Sequence, residues 1–135
     1  MSNEPTATLT GQIFDGIVPP GGTEAETQPM NPAAANEAVF QEVSSWRGVS
    51  VHLHRFGGTE FRVGRRELGH LHAFIADLPF PRRIRDELVA SGRARPHHVL
   101  PDSGWVTAPM RTAAQVANVI ELFRMNYQRA VAVRP

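Results

Sequence analysis

All six histidines of the 135-residue chain lie between positions 52 and 98, in three close pairs: His52/His54, His70/His72 and His97/His98. Imidazole changes charge near neutral pH and is the commonest protein ligand for transition metals. Residues two apart on a strand share a face, so an H-x-H pair aims two imidazoles the same way. Glu60, Arg62 and Glu67 fall between the first two pairs. These residue types leave several uses open. Two imidazoles and a carboxylate could hold a divalent metal with positions left vacant for a ligand. Imidazolium and Arg62 could hold an anion, or one imidazole could act as an acid or base oriented by a carboxylate. The same residues could also be a hydrogen-bonded polar ladder on a half-solvated sheet.

Composition narrows the classes. There is no cysteine, which excludes disulfides, thiolate zinc sites, iron–sulfur clusters and a cysteine nucleophile. No apolar run is long enough for a transmembrane helix. Residues 1–10 lack the basic and apolar regions of a signal peptide, so a cytoplasmic location is expected. The net charge of +1 conceals an asymmetry. Residues 1–46 carry six acids and no basic residue, whereas residues 47–135 carry all fourteen basic residues, every one an arginine, against seven acids. An acidic arm is therefore joined to a basic body, which suits an anionic partner.

The elements that must position the histidines follow from periodicity. Residues 1–30 are broken by proline and glycine and read as a flexible acidic arm. Asn31-Pro32 caps a helix carrying Val39, Phe40, Val43 and Trp46. Extended segments follow at 49–56, 59–64 and 67–75, then a helix at 81–91 and a strand at 105–110. Thr112 and Gln115 open a last helix whose stripe is Val116, Val119, Ile120, Phe123 and Tyr127. The expected fold is α+β, in the order α-β-β-β-α-β-α. It has a four-stranded antiparallel sheet, helices on its Leu53/Phe61/Leu71 face, a domain spanning 31–130 and a tail at 131–135.

Register can be argued from the phases. A three-residue loop at 56–58 pairs Leu53 with Phe61 and His54 with Glu60; a second at 64–66 pairs Glu60 with His70. With strands about 4.8 Å apart, His54, Glu60 and His70 would form a row flanked by His72 and Arg62. That row is the expected metal trio. For catalysis, His54 or His70 would be the acid–base group, Glu60 or Glu67 the orienting carboxylate and Arg62 the anion anchor. Arg82 and Arg83 sit in the first turn of the middle helix, where they oppose its dipole unless an anion binds or Asp86 and Glu87 pair with them. Arg93, Arg95, His97 and His98 would form a second basic cluster.

Three stretches resemble a known family. They are His54-Arg55-Phe56-Gly57-Gly58-Thr59-Glu60-Phe61, Glu67-Leu68-Gly69-His70-Leu71-His72, and Ala76-Asp77-Leu78-Pro79-Phe80-Pro81 continuing through Gly92 to His97-His98-Val99-Leu100-Pro101-Asp102-Ser103-Gly104-Trp105-Val106. Over about residues 36–130 the chain resembles the bacterial and fungal luciferase-domain proteins. The resemblance does not imply a flavin-dependent luciferase barrel, which 135 residues cannot build. It implies that His54, Glu67, His70, His72, His97 and Trp105 lie in the family's motif stretches, and it assigns no catalytic residue.

The expectation is a sheet-face site for a small anionic ligand, with a divalent metal as its candidate cofactor. Its ligand-binding residues would be Arg62, His72, Arg82, Arg83, His97, His98 and Trp105. The alternative is an interaction module whose basic body binds nucleic acid or a protein, with the acidic arm competing for that surface. Whether a reaction is catalysed, and the oligomeric state, are left open.

Overall fold

The computed structural model describes residues 27–54 and 57–132. The expected acidic arm therefore lies outside the described residues, except for its last four positions. The first helix, α1 (Pro32–Ser44), begins as its sequence dictates. The Asn31 side chain accepts the Ala34 N–H at 2.7 Å, and Pro32 occupies a position whose N–H would have no helical partner. The chain then forms β1 (Val49–Leu53), β2 (Thr59–Val63), β3 (Arg66–His72), β4 (Ile75–Pro79), α2 (Arg82–Ala90), β5 (Arg95–Pro96), β6 (Trp105–Pro109) and α3 (Ala113–Ala132). Residues 131 and 132 of the expected tail thus belong to α3.

The class is α+β as expected, but the described sheet has six strands rather than four, all antiparallel, in the order β1-β2-β3-β4-β6-β5. One face buries Phe61, Val63, Leu71, Ala76, Leu78, Val106 and Ala108. Helix α3 brings Val119, Leu122 and Phe123 to this core and α1 brings Ala35, Val39 and Val43. Each large apolar side chain buried there contributes about 1.5–3 kcal/mol. The Thr112 cap is realised, with its hydroxyl accepting the Gln115 N–H at 3.2 Å.

Three local features differ from expectation, and each bears on the opposite face. The segment expected as one strand at 67–75 is a hairpin, turning at Ala73-Phe74 with His72 opposite Ile75. Phe74 adopts φ 68° without being glycine. It is held by the Met110 N–H on its carbonyl at 2.7 Å and by the Arg111 guanidinium 4.0 Å from its ring centroid.

Strand β1 is shifted by two residues from the expected register. Val51 faces Phe61 and His52 faces Glu60, so Leu53, at 86% exposure, is not in the core. The shift follows from a longer loop, closed by hydrogen bonds between His54 and Gly57 and between His54 and Gly58.

The expected Glu60–His70 pairing is present, but it is reached by another route. A two-residue turn, Gly64-Arg65, is followed by a bulge. Phe61 pairs with Gly69 and Arg62 with Glu67, leaving Leu68 as the extra residue.

Candidate functional site

The registers place one polar row across the face away from α1 and α3: His52, Glu60, His70, Asp77, Thr107 and Arg95, one from each strand. Asp77 is at its centre and is 1% exposed. A carboxylate so buried must be compensated by donors or cations. The Thr107 hydroxyl donates to Oδ1 at 2.7 Å. Around Oδ2 lie four imidazole Nε2 atoms: His98 at 3.1 Å, His70 at 3.3 Å, His97 at 3.6 Å and His72 at 3.7 Å. Thr107 also accepts the His98 N–H at 3.3 Å, which ties the loop to the carboxylate it faces.

His54 completes the cluster from just beyond β1, its ring stacked on His70 with centroids 4.0 Å apart. Gly58 closes that loop with φ 86°, and a Cβ there would overlap the Leu71 carbonyl. Trp105 leans on both arms of the site, with its ring 5.5 Å from His70 and 5.9 Å from His97. Together with Val99 and Leu100 these residues enclose a cavity of about 450 Å³.

The protonation states follow from the neighbours. For His70, burial pushes the imidazole down. Hydrogen bonds to Asp77 and Glu67, reinforced by their charges, outweigh that and raise it to about 9. Its Nδ1–H donates to Glu67 Oε2 at 2.6 Å, leaving Nε2 aimed at Asp77. Burial would raise Asp77, but its bonds from His70, Thr107 and His98 hold it well below the usual carboxylate range. His72 is lowered by burial and by the positive charge of His70. His97 is lowered by burial, with His98 and His70 adding to the effect.

The tautomer of His97 follows from its own loop. Its Nδ1 accepts the N–H groups of Val99 at 3.1 Å and Leu100 at 3.0 Å. The neutral ring must then carry its proton on Nε2, the atom facing Asp77. His97 is therefore a donor that fixes the loop, with no lone pair to offer the cavity.

The remaining donors suit a metal ion. The ligand atoms of His54, His70 and His72 all lie within 4.8 Å of one another, and His98 Nε2 lies 3.1 Å from Asp77 Oδ2. A tetrahedral ion with bonds of about 2.1 Å sets its donors about 3.4 Å apart. The separations of 3.3 and 3.7 Å from Asp77 to His70 and His72 bracket that edge. Glu67 behind His70 supplies the carboxylate–histidine arrangement that orients metal-bound imidazoles.

The candidates read from sequence are thus distributed unequally. His54, His70, His72, His97, His98 and Trp105 share one cavity, so His97 and His98, read as a second basic cluster and as ligand-binding residues of the sheet-face site, adjoin the strand histidines, and Glu67 supports His70 from behind. Glu60 does not join His54 and His70 in the expected trio, because its Oε2 pairs with Arg62 Nε at 2.5 Å. Neither Glu60 nor Arg62 lines the cavity. Arg82 and Arg83 are on α2 and do not line it either; Arg83 faces Glu87 at 3.5 Å, whereas Asp86 pairs with Arg85 rather than Arg82. Asp77 and Thr107 were missed. The alternation of Ile75 and Asp77 against Ala76 and Leu78 was the available signal.

In comparison with known proteins, residues 65–126 fit the model of the Luciferase domain family. No curated protein and no solved structure matches the chain. No helix among the described residues is long and apolar enough to cross a membrane.

Proposed function

The chain belongs to the Luciferase domain family through residues 65–126, and from the geometry within that span we propose that it binds a divalent transition metal whose open side receives a small anionic ligand. Asp77, His70 and His72 are the ligands, with His98 closing the shell from the loop and His54 stacked behind His70. Glu67 orients His70, Thr107 orients Asp77, and His97 holds the loop. The reading is carried by one observation: a single buried carboxylate oxygen faces several imidazole nitrogens at distances near those between donors on one ion. Imidazole with one carboxylate suits zinc, iron, nickel or copper better than magnesium or calcium.

A ligand that binds only the folded chain raises its melting temperature. Addition of zinc, iron(II) or manganese to protein stripped with a chelator should raise it, most with the ions that favour imidazole. A melting temperature indifferent to all three would remove the reading. A second reading is supported by the seat of His70 between Glu67 and Asp77: a metal-free imidazolium acting as a general acid. It requires no metal response, so the same measurement separates the two.

A further inference from the structure

The cavity is built from two kinds of surface. Its floor is the Asp77 and histidine cluster; its rim and wall are Val99, Leu100 and Trp105. Val99 and Leu100 are consecutive and 67% and 51% exposed, although large aliphatic side chains beside a polar centre would ordinarily turn inward. Their exposure is fixed by the loop. Both N–H groups are bound to His97 Nδ1, and the Leu100 carbonyl accepts from Ser103 Oγ at 2.7 Å. Arg85 on α2 donates to the Pro101 carbonyl at 2.5 Å, and the Trp105 N–H returns to Ser103 Oγ at 3.1 Å. The rim is thus tied both to the centre and to the helix behind it. Among the described residues no arginine lines the cavity, so there the charge on the ligand is met at the floor. A volume of about 450 Å³ lies within the range of small-molecule sites.

We infer that the ligand is an amphiphilic small molecule: an apolar body lying along Val99, Leu100 and Trp105, with one oxygen-anion head directed at the Asp77–histidine floor. The head's destination rests on the metal reading, since Asp77 alone would repel it; the apolar body rests on the rim and does not.

Straight-chain carboxylates from acetate to decanoate, titrated by calorimetry into zinc-loaded full-length protein with zinc content measured in parallel, test this. Each added methylene should tighten binding roughly three- to fourfold until the cavity is filled, and octylammonium should bind at least tenfold more weakly than octanoate. The V99S/L100S variant should bind zinc as before and lose most of the dependence on chain length. Affinity indifferent to chain length, an equally steep series in V99S/L100S, or octylammonium binding as well as octanoate would overturn the inference. If the chain takes up no zinc, the metal reading falls by itself. The series on the metal-free protein then decides the apolar body, a steep slope supporting it and a flat one overturning it.

Discussion

Glu67 and His70 are three residues apart on one strand, yet they lie on the same side of the sheet with Oε2 and Nδ1 2.6 Å apart. In a regular strand an odd spacing puts two side chains on opposite faces. The extra residue at Leu68 reverses the phase, and the bulge thereby places a carboxylate behind the imidazole. Replacement of Glu67 by glutamine should keep the fold and weaken zinc binding about 10- to 100-fold. Competition against a chelating dye measures this.

The bulge depends on Gly69. Its φ is 156°, and a Cβ would stand 2.8 Å from the Asp77 carbonyl oxygen and 2.9 Å from both Leu78 and Phe123. Gly69→Ala should cost about 2–4 kcal/mol through overpacking and backbone strain. Urea denaturation reads the loss, and a variant as stable as the parent would show that the bulge tolerates a side chain.

Asn126 anchors the same bulge from the helical side. Buried on α3, its amide donates to the Leu68 carbonyl at 3.0 Å and the Pro79 carbonyl at 2.8 Å. Asn126→Leu leaves both without this donor and should cost about 2 kcal/mol or more. Its effect on zinc affinity should follow that of Glu67→Gln, because both loosen the support of His70.

How far this was legible in the sequence depends on the signal each element carried. The helices were readable from Asn31-Pro32, from Thr112 with Gln115, and from stripes such as Val119 and Phe123. The histidine phases were readable too, since H-x-H fixes a face whatever the register. The β3–β4 hairpin was not. It turns at Ala73-Phe74 without glycine, asparagine or aspartate, and tertiary contacts from Met110 and Arg111 support the unusual φ of Phe74. Missing that turn hid Asp77, and Glu60 stood in for it. His97 and His98 were expected among the ligand-binding residues, but their seat around one carboxylate could not be read, because a loop has no period from which to argue.

Stability of the metal-free protein should depend on pH in a sense the site defines. His70 is raised to about 9, so its contribution is complete below its ordinary value of 6.5 and is lost as pH rises through 9. Asp77 is lowered, so its contribution is present above the ordinary carboxylate value and is lost as pH falls. His72 and His97 are lowered, so their contribution is present above 6.5 and fades as pH falls below it. Unfolding free energy should therefore be greatest near pH 6.5 and decline into mild alkali, and Glu67→Gln should flatten the alkaline decline. A metal must displace the His70 proton, so zinc affinity should instead rise with pH over the same interval. Chemical denaturation and zinc competition across that range check both slopes.

His97 and His72 face the same oxygen at similar distances, but only His72 has a lone pair to give. His97→Ala should keep one metal per chain while loosening the Val99–Leu100 rim, whereas His72→Ala should lose at least tenfold in affinity. Equal losses would show that His97 ligates after all.

The most direct test is the metal stoichiometry of the full chain, by elemental analysis after equilibrium dialysis against zinc, beside Asp77→Asn. One zinc per parent chain, and a fraction of that in a folded Asp77→Asn protein, is the predicted result. No stoichiometric zinc in the parent, or the same content in Asp77→Asn, would contradict the centre.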